Sequence, residues 1–410
     1  MVLVLLAAVA GFFYARFSMS AQGTDFPDFY CASRMLIEGH GHQLYDADFQ
    51  REFQVRCAGR VGTLFIHPPF ETLAYLAVGW LPLKRAYLLW CLINLAVLAL
   101  VARKIACEVL TKWRWQLLLA ASLTFVPVML CFLQGQDSVL LLLLVTLTFA
   151  ALKRERAFAA GCWLGLGLFK FQIVLPLVLV ITMQVAAKQK AMQRGMQRKG
   201  NSFLYGFAFV AAALAALSGV ISGWSVFIAY PRFLFRLQEQ PFAGVDPQAM
   251  ANFRGLLYFF VHGDGSAFVL IAIAISSGAA LLTTGMGWKQ AYKSVPIRGL
   301  RKTTNSATFN LAFSNSVLFA LLVSYHLNPH DLSLLLLPMS LLLRHLQLKI
   351  PPGEPAVHWL AASLLAILLL PPLHLAALRA HEYVLVVVPM LAVFVIETSM
   401  LRQNRAASVN

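Results

Sequence analysis

The sequence predicts an all-α polytopic membrane protein with about 12 transmembrane helices, and three observations predict it. Of 410 residues, 60% are hydrophobic and only 12% are charged, against about a quarter charged in a soluble domain. Apolar runs recur along almost the whole chain, many near the roughly 17 to 25 residues that cross a hydrocarbon core. Lys and Arg, the source of the formal net charge of +16, fall mostly in short stretches between those runs, which is the pattern that orients helices with cations inside. The chain is therefore read as a single membrane domain over 1–410. Its cations face anionic lipid headgroups, and no nucleic-acid partner is expected.

The elements follow in order. Residues 2–15 carry no positive n-region and no A-x-A-like site follows them, so a retained first helix near 3–17 is expected. A long polar loop, 18–63, comes next; its segments R-M-L-I-E-G and L-Y-D-A-D-F-Q-R-E-F read as short amphipathic helices lying on the membrane surface. The run near 66–82 opens with Pro68-Pro69, which interrupts helix hydrogen bonding, and is expected to be re-entrant or interfacial. Parity asks for the same, because only an odd number of crossings fits between an outer 18–63 loop and a cytosolic stretch that begins at Arg103. Further segments lie near 86–102, 115–133, 138–152, 157–169, 171–186, 203–224, 265–284, 308–325, 332–343, 357–375 and 383–400. The basic connectors fall around Arg103 and Arg114, Lys153 and Arg156, Lys188 and Lys199, Lys289 and Lys302, Arg344 and Lys349, and Arg402 and Arg405. With these cytosolic, the outer connectors are near 134–138, 170, 225–264, 326–331 and 376–382, and both termini are cytosolic. No internal repeat is visible, which weighs against an inverted-repeat transporter.

Six cysteines are scattered without C-x-x-C spacing, so neither a zinc nor a redox centre is supported. Cys31 and Cys57 share the first outer loop; they pair if that loop faces an oxidising compartment and are otherwise free thiols. Gly161, Gly165 and Gly167 sit in an apolar helix with no preceding strand and read as helix-packing positions rather than a nucleotide fingerprint.

Polar chemistry gathers at the outer connectors. Asp25-Phe26-Pro27-Asp28-Phe29-Tyr30 places two acids at the membrane boundary, where a carboxylate either caps a helix or acts as a general base toward an acceptor hydroxyl. His67, fixed by Pro68-Pro69, either hydrogen-bonds a phosphate or sugar hydroxyl or belongs to an interfacial turn. Gln134-Gly135-Gln136-Asp137-Ser138 satisfies ordinary turn chemistry, while the amide of Gln136 can hold hydroxyls. Lys170 runs against the positive-inside trend; it either snorkels or offsets a lipid phosphate. Arg254 suits bidentate phosphate recognition. His326 and His330 fall in a short turn that ends in Asp331, whose simplest role is a helix cap.

Taken in order, D-F-P-D-F-Y-C-A-S, E-G-H-G, L-Y-D, H-P-P-F, L-P-L-K-R-A-Y-L-L-W, G-Q-D-S and G-L-F-K-F-Q resemble glycosyltransferase family 87. These are polytopic GT-C enzymes, similar to the mannosyltransferases that use polyprenol-phosphate mannose. The match is strongest over roughly 20–180 and thins toward the histidine turn. The resemblance implies a GT-C-type bundle in the cell membrane, with its site on the non-cytosolic side. It implies inverting transfer of a hexose, mannose first, from a polyprenyl-phosphate-linked sugar donor to a lipid or glycan acceptor, with no cofactor and no metal. Asp25 occupies the place of the family's general base, with Asp28 an extra acid nearby. Tyr30, His67, Gln136, Lys170, Arg254, His326 and His330 are the expected substrate-binding residues; His67 stands where Tyr is common in the family. The alternative from another class is a transporter or flippase of lipid-linked sugars, which expects polar or broken segments at the bilayer midplane.

Overall fold

The structure, a computed structural model, describes residues 24–192, 201–238, 247–261, 267–293, 307–347 and 355–403. The helix expected near 3–17 lies outside the described residues, as do Lys199, Lys302, Lys349 and Arg405 among the basic positions. Every regular element among the described residues is a helix, one of the two forms that satisfy all backbone polar groups in hydrocarbon. Five helices are long and apolar enough to cross a membrane, or up to seven if each of two bent pairs is one span. The shorter apolar helices Ser138–Lys153 and Ala307–Val323 stand among them.

Proline decides the two bends. The expected single segment 115–133 is Trp115–Leu123 and Val126–Gln134, meeting at 70°, with Pro127 in the first turn of the second piece. Likewise 357–375 divides into Ala356–Leu369 and Pro371–Ala380, bent by 54°, where Pro371 and Pro372 open the second helix. Both breaks follow from the missing proline N–H and the restriction on the residue before it.

The apolar run Ala157–Gln184 has the length of one crossing, yet it doubles back. A methyl on Gly167 would sit 3.1 Å from Val174 Cγ2, although a straight helix separates residues seven apart by about 10.5 Å. The next helix, Ser202–Ser222, also begins beside Gly161, whose added methyl would meet Phe203 O at 2.0 Å. A straight helix from Gly161 to Met192 would run about 46 Å, and the residues from there to Phe203 reach back at most about 38 Å. The reversal falls in the 3-10 turn Leu166–Lys170, so Lys170 stands at the head of a hairpin formed with Ala157–Gly165 and Phe171–Met192.

Residues 66–82 hold only the 3-10 turn Pro69–Tyr75 and the one-turn helix Leu76–Gly79, neither long enough to cross. The first polar loop does contain two helices, Phe26–Ile37 and Ala47–Ala58. In the first of them Phe26–Ser33 is enclosed by protein, while the R-M-L-I-E-G segment, Arg34–Gly39, runs out to its half-exposed end. Its aromatic residues at i, i+3 and i+4 all face inward: Phe29 stacks on Tyr75 at 4.7 Å, Phe26 meets Tyr87 edge-on at 5.3 Å, and Tyr75 stacks on Trp90 at 4.1 Å. Offset and edge-on aromatic pairs add about 0.5–1.5 kcal/mol each beyond their area. The Ala47–Ala58 helix is capped by Asp46, which accepts from the amides of Asp48 and Phe49. Its Gln50 and Gln54 bind the backbone at Phe65 and Gly62, tying the loop's return strand to the helix. Cys31 and Cys57 are both free thiols.

The two ends of the bundle differ in chemistry. Lys153 Nζ lies 3.7 Å from Glu108 Oε2, and Arg154 also pairs with Glu108, so the basic connectors after Leu83–Glu108 and Ser138–Lys153 share one end. Ser138 is at the opposite end of its 16-residue helix, about 24 Å away. Between the ends, a buried polar set that the sequence reading passed over joins Ala307–Val323 to Val387–Gln403. Ser314 donates to Glu397 Oε1 at 2.6 Å, and Asn315 donates to Phe394 O and Thr398 Oγ1. Inter-helix bonds of this kind are worth roughly 1 kcal/mol in a bilayer.

Gly161 and Gly206 let two helices touch backbone to backbone. A methyl on Gly206 would lie 2.1 Å from Phe158 O. Gly161→Ala and Gly206→Ala are therefore each expected to destabilise the protein by about 1–3 kcal/mol. Thermal unfolding of the detergent-solubilised variants checks this, and an unchanged midpoint for both would contradict the close approach.

Candidate active site

The site is assembled from turns. The Val126–Gln134 helix ends at Gly135 with φ +68, a left-handed conformation that glycine adopts at no steric cost. Space demands glycine as well, since a methyl there would lie 2.5 Å from Phe26 Cβ. Trp90 Nε1 and the Tyr87 hydroxyl donate to the carbonyls of Gly135 and Phe132, both at 2.8 Å, and fix the turn from the Leu83–Glu108 helix. Gln136 and Asp137 are thereby aimed at the Phe26–Ile37 helix start and at Lys170.

Lys170 is 2% exposed. Its Nζ lies 2.9 Å from Asp331 Oδ1, 3.6 Å from Asp137 Oδ1 and 3.4 Å from Gln136 Oε1. Gln136 in turn donates to Asp25 Oδ2 at 2.6 Å. Asp331 also accepts from Ser138 Oγ at 2.7 Å and from the Asn328 amide at 3.0 Å. It therefore makes the local turn contact expected of a cap and the ion pair besides. Burial on its own would raise the Asp331 carboxyl, but Lys170 and the surrounding donors hold it below the ordinary carboxylate range.

Asp25 stands at the N-cap of Phe26–Ile37 without capping it by its side chain; the carboxylate turns to Gln136 instead. Burial raises its pKa, opposed by the Gln136 hydrogen bond and by His67, Lys170 and Arg60. Asp28 is buried more tightly. It accepts from Thr63 Oγ1 and, at 3.4 Å, from Gln54. Burial pushes it up to about 8, and the nearby Asp25 adds to the shift.

His67 packs against the rings of Phe29 at 4.8 Å and Phe65 at 5.6 Å, with Nδ1 3.0 Å from Glu71 Oε2. His330 Nδ1 bonds Gln134 Oε1 at 2.7 Å. Burial brings His67 and His326 down to about 4 and His330 to about 3, so all three rings are neutral near pH 7. Arg254 lies 4.1 Å over the Tyr325 ring and donates to Tyr325 O at 3.3 Å, beside the half-buried His326. Of the candidates named from sequence, Tyr30 is turned elsewhere: its hydroxyl donates to Leu81 O at 2.7 Å and accepts from Arg34.

The cluster also contains residues that the sequence reading treated as turn or cap, or did not single out: Gln134, Asp137, Asp331 and Glu71. Glu71 left a usable signal, because an acid inside an apolar run is costly unless it is used. Among the described residues, no group of three or more His, Cys, Asp or Glu is arranged to hold a metal ion.

The family model described as Glycosyltransferase family 87 matches residues 65–325, more than half of the chain. No curated protein and no solved structure matches.

Two outcomes follow from the geometry. Asp331→Asn strips the buried Lys170 of its nearest carboxylate and is expected to cost about 3–5 kcal/mol, read as a drop in the thermal midpoint. Asp28, raised to about 8, is held by the fold in its neutral form. That stabilisation is complete below the ordinary carboxylate pKa and is lost as the pH climbs through about 8. The midpoint should accordingly fall between about pH 4 and pH 8, then level off, and fall less steeply in Asp28→Asn.

Proposed function

The chain belongs to glycosyltransferase family 87, and on that premise we propose that it moves a hexose, mannose in the first instance, from a polyprenyl-phosphate carrier to a hydroxyl of a lipid or glycan acceptor. As the acceptor oxygen attacks C1 of the sugar, its proton passes to Asp25. The bond from C1 to the phosphate oxygen breaks, and polyprenyl phosphate leaves with the electron pair; attack from the face opposite the leaving group inverts the anomeric centre. The single observation that carries this reading is the Asp25 carboxylate, which is bonded to Gln136 at 2.6 Å and not spent on its own helix. Its raised pKa makes it a stronger base than an exposed aspartate.

Asp25 is preferred to Asp28, whose oxygens are already occupied by Thr63 and Gln54. Arg254, set on the Tyr325 ring beside the histidine turn, is the cation assigned to the donor phosphate. Lys170 is balanced by Asp331; it holds Gln136, and through it Asp25, and adds positive potential as the phosphate departs. His67, His326 and His330, neutral at pH 7, serve as hydrogen-bonding partners to the sugar and phosphate. The donor's polyprenyl tail would lie among the membrane helices of a GT-C bundle with about 12 crossings. The basic connectors around Glu108 and Lys153 sit at the end of the bundle away from the site, which with the positive-inside rule supports a site on the non-cytosolic face of the cell membrane.

The test is transfer from radiolabelled polyprenyl-phosphate sugars by reconstituted protein. Asp25→Asn is expected to lower kcat by about 10²- to 10⁴-fold, whereas folded Asp28→Asn keeps most of the activity. An Asp25→Asn variant as active as the wild type would remove Asp25 from the role of base. A wild type that transfers from no such donor would remove the donor class.

A further inference from the structure

We propose that Glu71 and Asp137 form a buried carboxylic acid pair that shares one proton and acts as a positioning device, Glu71 orienting His67 and Asp137 orienting Lys170. The positioning role rests on the reading of this site as a sugar-transfer centre; the shared proton does not.

The geometry leads there directly. Glu71 and Asp137 are 3% and 0% exposed. They come from different parts of the fold, the 3-10 turn Pro69–Tyr75 and the turn before Ser138–Lys153, and their carboxyl groups are hydrogen-bonding neighbours. Taken as two carboxylates, none of their four oxygens meets a donor in hydrogen-bonding geometry, a costly state for buried charge. One proton between them removes the difficulty, because one acid then donates to the other.

Among the described residues the pair has one cation beside it, and that cation is not its own. Lys170, 3.6 Å from Asp137 Oδ1, is the cation beside it and is already shared with Asp331 at 2.9 Å. His67, with Nδ1 3.0 Å from Glu71 Oε2, is neutral. Tyr75 faces both acids and Tyr45 and Tyr230 face Glu71; burial raises all three hydroxyls, so they add no positive charge. Burial pushes both acids up to about 8, as expected of like-charged groups that cannot both ionise in a dry site.

The arrangement has a chemical consequence for His67. With His67 Nδ1 3.0 Å from Glu71 Oε2, a small turn of the ring lets Nδ1–H donate to the acid, and the neutral imidazole then presents Nε2 as an acceptor, which suits a sugar hydroxyl. On the other arm, Asp137 keeps the Lys170 ammonium from swinging wholly to Asp331, so that it stays within reach of Gln136. Above about pH 8 the shared proton is lost and both arms loosen.

The experiment uses the full chain in liposomes, with two independent readings. Infrared titration of the wild type against Glu71→Gln is expected to show a protonated carboxyl band that fades near pH 8 and is missing from the variant; the band of Asp28 is common to both samples and cancels. In transfer assays with radiolabelled polyprenyl-phosphate sugar, Glu71→Ala should lose about a hundredfold in kcat through misplacement of His67. Glu71→Gln, whose amide donates permanently to Asp137 and whose carbonyl stays available to His67 Nδ1, should retain much more activity and lose the alkaline fall expected of the wild type. The proposal is overturned if both acids are ionised at pH 6, or if Glu71→Gln keeps the wild-type alkaline limb. A wild type inactive with every donor defeats the sugar-transfer reading alone, because the infrared titration still decides whether the proton is shared.

Discussion

A buried ammonium between two carboxylates organises this protein. Lys170 projects from the 3-10 turn at which the chain doubles back, Asp331 from the histidine turn, and Asp137 from the turn that opens the Ser138–Lys153 helix. A charge taken out of water is tolerated only with partners in good geometry. Lys170 therefore constrains three connections at once, and each helix attached to them inherits a fixed register at this end of the bundle. Through Gln136 the same ammonium reaches Asp25, so the electrostatic clamp and the candidate base form one hydrogen-bonded chain.

Around the clamp, packing does what charge cannot. The stack of Phe29, Tyr75 and Trp90, with Phe26 and Tyr87 beside it, seals one side of the polar cluster with large apolar faces. The polar tips of Tyr87 and Trp90 are used to hold the Gly135 turn. Such sealing lowers the local dielectric, which strengthens Lys170–Asp331 and also raises the acids that lack a cation of their own. Asp331, close to Lys170, is held low, while Asp28, Glu71 and Asp137 are all pushed toward 8. The same burial gives opposite outcomes, decided by the combination of a close ammonium and hydrogen-bond donors that Asp331 has and the other three acids lack.

Much of the site was legible in the sequence because its residues sit in short polar turns between apolar runs. Asp25, His67, Gln136, Lys170 and His330 could be picked out from their cost at a membrane boundary. Other roles could not be read so. Tyr30 lies within a motif-rich stretch but turns to Leu81 and Arg34, because helical geometry points successive residues in different directions. Asp331 satisfies a cap rule locally, and only its contact with Lys170, far off in sequence, reveals the second use. Glu71 and Glu397 were each hidden in an apolar segment, where the pattern that identifies the segment draws attention away from its exceptions.

Composition and charge distribution alone determined that the chain is helical, membrane-embedded and polar at its connectors, since water and hydrocarbon impose those limits on any sequence. Proline positions alone did not mark where backbone continuity fails: Pro176 and Pro231 lie inside helices, whereas Pro127 and Pro371 accompany bends of 70° and 54° in segments read as single from sequence. Tertiary structure decided which acids share a cation, which share space with each other, and that Phe26–Ser33 is enclosed by protein. Those outcomes depend on contacts between residues far apart in sequence, by more than 100 positions for Gln136 with Asp25 and Ser138 with Asp331. Periodicity and local turn rules carry no information about separations of that length; only the packed bundle does.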